Sequence, residues 1–90
     1  MKNLAGGFSN FREITKEEKQ LFEETLKNYD GVGHKPLAIA TQVVSGTNYA
    51  FLCEAKIISP EAIPYNDIVV IYQPLKGEPF LIQIRNVEIL

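Results

Sequence analysis

Tryptophan is absent from this 90-residue chain, and cysteine, histidine and methionine each occur once. A lone Cys53 excludes an internal disulfide, so the core must hold itself together. One cysteine and one histidine also exclude the usual structural zinc site, whose four ligands come mostly from those two types. No apolar run approaches the roughly 18 residues of a membrane-spanning helix. Met1-Lys2-Asn3-Leu4-Ala5-Gly6-Gly7 opens with a base but carries no apolar segment long enough for a signal peptide. The expectation is a cytoplasmic protein if the chain is complete, or a secreted or periplasmic one whose leader has been removed. There is no basic excess either: nine Lys and Arg stand against eleven Asp and Glu, a net charge of -2. A nucleic-acid partner is therefore not expected.

What is present suits one small domain over residues 1–90. Hydrophobic residues make up 46% of the chain, enough for a modest core. No repeat, low-complexity tract or linker interrupts it. The segment 15–31, TKEEKQLFEETLKNYDG, reads as a helix. Thr15 with Glu18 three residues on is a capping box, and Glu17 and Glu18 complement the positive end of the helix dipole. Leu21, Phe22, Thr25, Leu26 and Tyr29 form one apolar stripe, and Glu23 with Lys27 forms an i,i+4 pair on the wet side. Asp30-Gly31-Val32-Gly33 ends it.

Strand patterns follow. Residues 36–44 and 47–58 flank Ser45-Gly46 as a hairpin, with Tyr49, Phe51, Cys53, Ala55 and Ile57 on one face of the second strand. A loop over 59–66, a strand over 67–73, a turn around Gly77 and a strand over 80–89 complete the chain. The expected fold class is α+β: one N-terminal helix packed on a twisted antiparallel sheet of four to five strands.

Catalytic chemistry finds little material. Cys53 and His34 are the candidate nucleophile and base. Cys53, however, reads as a small buried hydrophobe, and His34 as a solvated residue of the helix-to-strand connection. Glu17, Glu18, Glu23 and Glu24 spread around the outer side of the helix as a solvated face. Neither Gly6-Gly7 nor Gly31-x-Gly33 has the strand–turn–helix setting of a phosphate loop. No enzyme, metal or cofactor is expected.

Three features have no catalytic use: an apolar N-terminus ending in Gly6-Gly7, a hairpin tip at Val43-Val44, and a second tip at Pro74-Leu75. A helix followed by a meander can place all three at one end of the sheet, as a wedge. Composition alone favours plainer readings, namely buried strand ends, ordinary turn punctuation and a frayed terminus.

Gln42-Val43-Val44-Ser45-Gly46 fits the Gln-x-Val-x-Gly signature of the cystatins, inhibitors of papain-like cysteine proteases. With Thr47-Asn48-Tyr49 following, the chain resembles the stefin, or type 1, members. Leu4-Ala5-Gly6-Gly7 resembles the family's N-terminal apolar pair plus glycine. Val70 to Gly77 resembles its second hairpin, with Leu75 where many members carry tryptophan. The resemblance runs over nearly the whole chain in the order arm, helix, strands.

It implies a reversible, non-covalent inhibitor that fills the protease cleft with the arm and two hairpin tips. The implied protease-binding residues are Leu4, Ala5, Gly6, Gly7, Gln42, Val43, Val44, Ser45, Gly46, Pro74 and Leu75. Gly6 would let the backbone turn away from the catalytic thiol. Leu75 and the small Ala5 imply smaller contacts than the family's bulkier residues make. Of the valine pair, Val44 is expected to be the exposed one. The alternative is an interaction module of the same fold that binds another protein through the same edge without inhibiting a protease. A monomer is expected, and a domain-swapped dimer opening at residues 43–46 is the other state the β-prone strands allow.

Overall fold

The computed structural model describes residues 7–88. Helix α1 (Lys16–Leu26) precedes strands β1 (Val32–Val44), β2 (Gly46–Ile57), β3 (Tyr65–Gln73) and β4 (Phe80–Val87). The strands form an open antiparallel sheet of four in the order β1-β2-β3-β4, with the helix packed on one face. The α+β expectation is met, with four strands.

The capping box forms as its residues require. Glu18 N donates to Thr15 Oγ1 at 3.2 Å, and Thr15 N donates to Glu18 Oε1 at 2.9 Å. Glu18 is not part of a solvated acidic face. Arg12 Nη1 and Nη2 donate to its two oxygens at 2.9 and 2.6 Å, joining the start of the helix to the segment before it. The helix stops earlier than its stripe suggested. Lys27 is the C-cap, and Tyr29 lies beyond the end, half exposed. Asn28 and Asp30 are poor helix formers, and Gly31 turns the chain at φ +90°. Lys27 pairs with Glu24 at 3.4 Å rather than with Glu23.

Strand β1 begins at Val32, four residues before the expected start at Pro36, and its first residues pair with the far end of β2. Leu37 is an extra residue in the ladder, because Pro36 opposes Cys53 while Ala38 opposes Leu52. This bulge reverses which residues of β1 face the helix. Before it, His34 and Pro36 share the helix side with Ala55 and Cys53; after it, Ile39 and Thr41 do so with Phe51 and Tyr49.

Apolar clusters cover the sheet on both sides. Under the helix, Phe22 and Leu26 pack on Ile39, Phe51, Val69 and Ile71, with the rings of Phe22 and Phe51 4.8 Å apart. On the other face Ala38, Ala40, Ala50, Leu52 and Ile68 are covered in part by Phe8 and Phe11. Those two rings come from the segment before the helix, which runs along the outer edge of β1. There Arg12 and Ile39 exchange backbone hydrogen bonds at 2.9 Å, and Ser9 N donates to Thr41 O at 2.8 Å.

His34 departs from the solvated loop position expected for it. It lies in β1, and its Nε2 stands 2.8 Å from Asp67 Oδ2, with side chains 8% and 1% exposed. The pair reaches from β1 to β3 across β2. Burial pushes the Asp67 carboxyl above its ordinary range, against the opposing pull of His34.

Two expectations about stability follow from these pairs. His34→Leu strands a buried carboxylate and should lower the unfolding free energy in urea by about 3–5 kcal/mol. The His34→Leu/Asp67→Leu double variant should lose less than His34→Leu alone, and a larger loss would deny the pair its role. Glu18 is held down to about 2 from its ordinary 4.5, first by the Arg12 hydrogen bonds and then by Thr15. Because the folded value lies below the unfolded one, its contribution is complete above about pH 4.5 and fades as pH falls toward 2. Glu18→Gln should therefore cost about 1–2 kcal/mol at pH 7, with the gap closing near pH 2. An equal gap at both pH values would contradict this.

Candidate functional site

The end of the sheet where β1 turns into β2 gathers the apolar features singled out in the sequence. Val44 opposes Gly46, so Ser45 alone makes the turn. The exposures correct the expectation about the valines. Val43 is 84% exposed and Val44 45%. Pairing with Thr47 and Gly46 puts Val43 on the helix side of the sheet and Val44 on the other. Both are available, and Val43 is the freer of the two.

Gly46 is buried at φ +101°, beside the turn that follows β3. A Cβ there would lie 2.4 Å from Gln73 O, 2.9 Å from Tyr72 Oη and 3.1 Å from Pro74 Cα. Glycine is required on both counts, conformation and space. The first tip therefore sits directly on the backbone of the second. Tyr72 Oη also donates to the carbonyl of Ser45, a second link between the hairpins.

In the second tip, Gln73 Nε2 donates to Pro74 O at 3.1 Å and to Gly77 O at 3.0 Å, which closes the loop internally. Pro74 is half-buried and Leu75 projects, 79% exposed. Gly7 stands close to the first hairpin. A Cβ on it would lie 3.8 Å from Gln42 Nε2, and Gln42 Oε1 accepts from Asn48 Nδ2 at 2.9 Å. Gly7, Gln42, Val43, Val44, Ser45, Gly46, Pro74 and Leu75 thus share one end of the molecule. Leu4, Ala5 and Gly6 lie outside the described residues.

Electrostatically this end carries little charge: within the two tips, residues 43–46 and 74–77, only Lys76 is charged, exposed beside Leu75. No charged residue occurs from Pro36 to Cys53 or from Ile68 to Leu75. Beyond that cation the surface offers aliphatic side chains and amide groups. Away from this end, Cys53 Sγ donates to Phe51 O at 3.5 Å, and burial first, then the nearby Asp67, pushes the thiol up. A thiol so placed is not a nucleophile. Among the described residues no three His, Cys, Asp or Glu side chains converge on a metal position, and no helix is long and apolar enough to cross a membrane.

No protein-family model and no curated protein sequence matches the chain. Among solved structures, a secreted type 1 cystatin from Fasciola hepatica matches with a TM-score of 0.69. The two are 26% identical, over 92% of this chain and 97% of that one. The chain has a cystatin fold. In this cystatin-fold protein the apolar end described above is formed by strand ends and the turns that join them, where residues that meet a partner are often found.

Sequence reasoning missed Tyr72 and Gln73, the residues that join and close the tips. Nothing local marks them, since a tyrosine and a glutamine at a strand end are ordinary. Their parts follow from the β2–β3 register, which sets Thr47 against Gln73 and Asn48 against Tyr72.

Gly46→Ala should lower stability by at least about 2 kcal/mol, combining left-handed strain with a clash against backbone. Gly31→Ala is the control. Its φ is +90° with nothing within 4 Å of a new Cβ, so strain alone should cost about 1 kcal/mol. Equal losses in chemical unfolding would mean that Gly46 is not spatially constrained.

Proposed function

We propose that this chain binds a partner protein through its hairpin end, and that the partner is a papain-like cysteine protease whose cleft it occludes reversibly. The observation that carries the reading is the alignment of Val43 and Leu75, 84% and 79% exposed, beside Gly7 at one edge of a cystatin fold. At its coarsest, the likeness to a cystatin supports a protein-binding edge. The Gln42 to Gly46 segment and its resemblance to the cystatin signature support the protease.

In the proposed complex the two tips enter one side of the cleft. Residues Leu4 and Ala5 lie along the substrate side, and Gly6 bends the backbone away from the catalytic thiol. No covalent step is involved. Fully burying one valine side chain contributes about 1.5–3 kcal/mol, so Val43 and Leu75 together account for a substantial part of a micromolar to nanomolar affinity. With Lys76 the one charged residue in the two tips, electrostatic steering contributes little to association. The secreted relative favours the secreted alternative for this chain over the cytoplasmic one.

A second reading is a cystatin-fold module that uses the same edge on a different protein. It is favoured by Leu75, which leaves the second tip without the aromatic anchor common in the resembled family, and by the small Ala5.

Titration of papain with the protein separates the two. The inhibitor reading expects progressive, reversible loss of protease activity. Val43→Asp should weaken inhibition about 30- to 1,000-fold by burying an unpaired charge, with the melting temperature unchanged. Full papain activity in a large excess of folded wild-type protein would select the second reading.

A further inference from the structure

The hydrogen bond between Tyr72 and Ser45 adds a side-chain link between two tips that already touch where Gly46 meets Gln73 and Pro74. A one-residue turn leaves its carbonyl pointing away from the ladder, where water would ordinarily take it. Here a phenol on β3 reaches across β2's end to that carbonyl. The phenol ring is itself held: Phe80, its cross-strand partner on β4, packs edge-on at 5.5 Å and 73°. Beneath the turn, Gly46 rests against Gln73 O and Pro74 Cα, and Gln73 ties the second loop to itself through Pro74 and Gly77. Three strands therefore contribute to the position of one carbonyl.

We infer that Tyr72 is a positioning residue that fixes the spacing of the two tips before a partner arrives, so that they dock as one preformed body. Its hydroxyl is the part that matters, because it is the β3 side-chain group bonded to the Ser45 carbonyl, in addition to the backbone packing at Gly46. Ser45 takes part through its backbone, so no side chain at position 45 can supply or remove the link. Without it the first tip keeps its β1–β2 ladder and the packing of Gly46 on Gln73 and Pro74, but the Ser45 carbonyl loses its bond to β3 and the turn gains freedom to rock. Only a fraction of molecules would then present Val43 and Leu75 at the spacing a cleft requires. An affinity divided by that fraction is lost mainly from the association rate, since molecules that do dock make the same contacts. The kinetic part of this inference rests on the protease-binding reading; the structural part concerns the free protein and does not.

The test uses Tyr72→Phe, which keeps the ring on Phe80 and deletes only the hydroxyl, and Phe80→Leu, which keeps the hydroxyl and removes its brace. In the free protein, amide hydrogen exchange at Ser45 and Gly46 should quicken about tenfold or more in Tyr72→Phe, and less in Phe80→Leu. Exchange at the interior residues Phe51 and Val69 should stay as in wild type. Against papain, association with Tyr72→Phe should slow about tenfold while dissociation stays within about twofold. Unchanged exchange at residues 45 and 46, or a loss spread evenly over the sheet, would overturn the inference whether or not the protein inhibits papain. If wild type leaves papain fully active while tip exchange quickens as expected, the positioning role stands and the protease reading falls. If wild type inhibits but Tyr72→Phe associates at the wild-type rate, preformed docking is overturned.

Discussion

Strand β2 must be covered on both faces. Ala50, Phe51, Leu52 and Cys53 are all buried, and successive side chains on a strand point opposite ways. No single helix can cover both directions, so the chain needs a second cover. The segment before α1 supplies it, with Phe8 and Phe11 against the Ala50–Leu52 side and Ile14 against the helix side. The Arg12–Glu18 pair and the backbone bonds to Ile39 and Thr41 hold that segment along β1. The same requirement explains the alanines at 38, 40 and 50, since small residues let the two rings approach the sheet closely.

The candidate site inherits its geometry from this cover. A segment that must lie along β1 to bury its phenylalanines necessarily arrives beside Gln42, which puts Gly7 next to the first hairpin. Pairing of β2 with β3 brings Gly46 to Pro74 in the same way. The site is therefore a product of the core's need for burial, extended outward along the strands. Its scarcity of charge, with Lys76 alone in the tips, has a related origin, because the strands that form it are apolar on both faces for most of their length.

Much of this was legible in the sequence wherever one residue's chemistry decided the outcome. Thr15 and Glu18 cap the helix as read, Phe22 and Leu26 carry its buried stripe, and the gathering of Gly7, the valine pair and Pro74-Leu75 at one end follows from a simple meander. What was not legible depended on pairing. Two adjacent valines at a strand end give no local sign of which faces which way until they are paired with Thr47 and Gly46, so the more exposed valine was misjudged. His34 looked solvated because Gly31, Gly33 and Lys35 around it carry no strand signal. Its strand is made by pairing with the polar end of β2, and its partner lies 33 residues away in sequence. Glu18 resembled its exposed neighbours until Arg12 was seen to fold onto it. The Tyr72 link likewise depends on which strand borders which.

The burial of Cys53 carries a consequence for a protein proposed to press against an enzyme whose nucleophile is a thiolate. Thiol–disulfide exchange needs a thiolate and an open line of approach, and Cys53 has neither: it is fully buried, held protonated by its surroundings and wrapped by both neighbouring strands. The chain's single sulfhydryl is thus insulated from mixed-disulfide capture, whatever the redox poise around it. Association remains a matter of surfaces meeting and parting, with each partner's covalent structure intact.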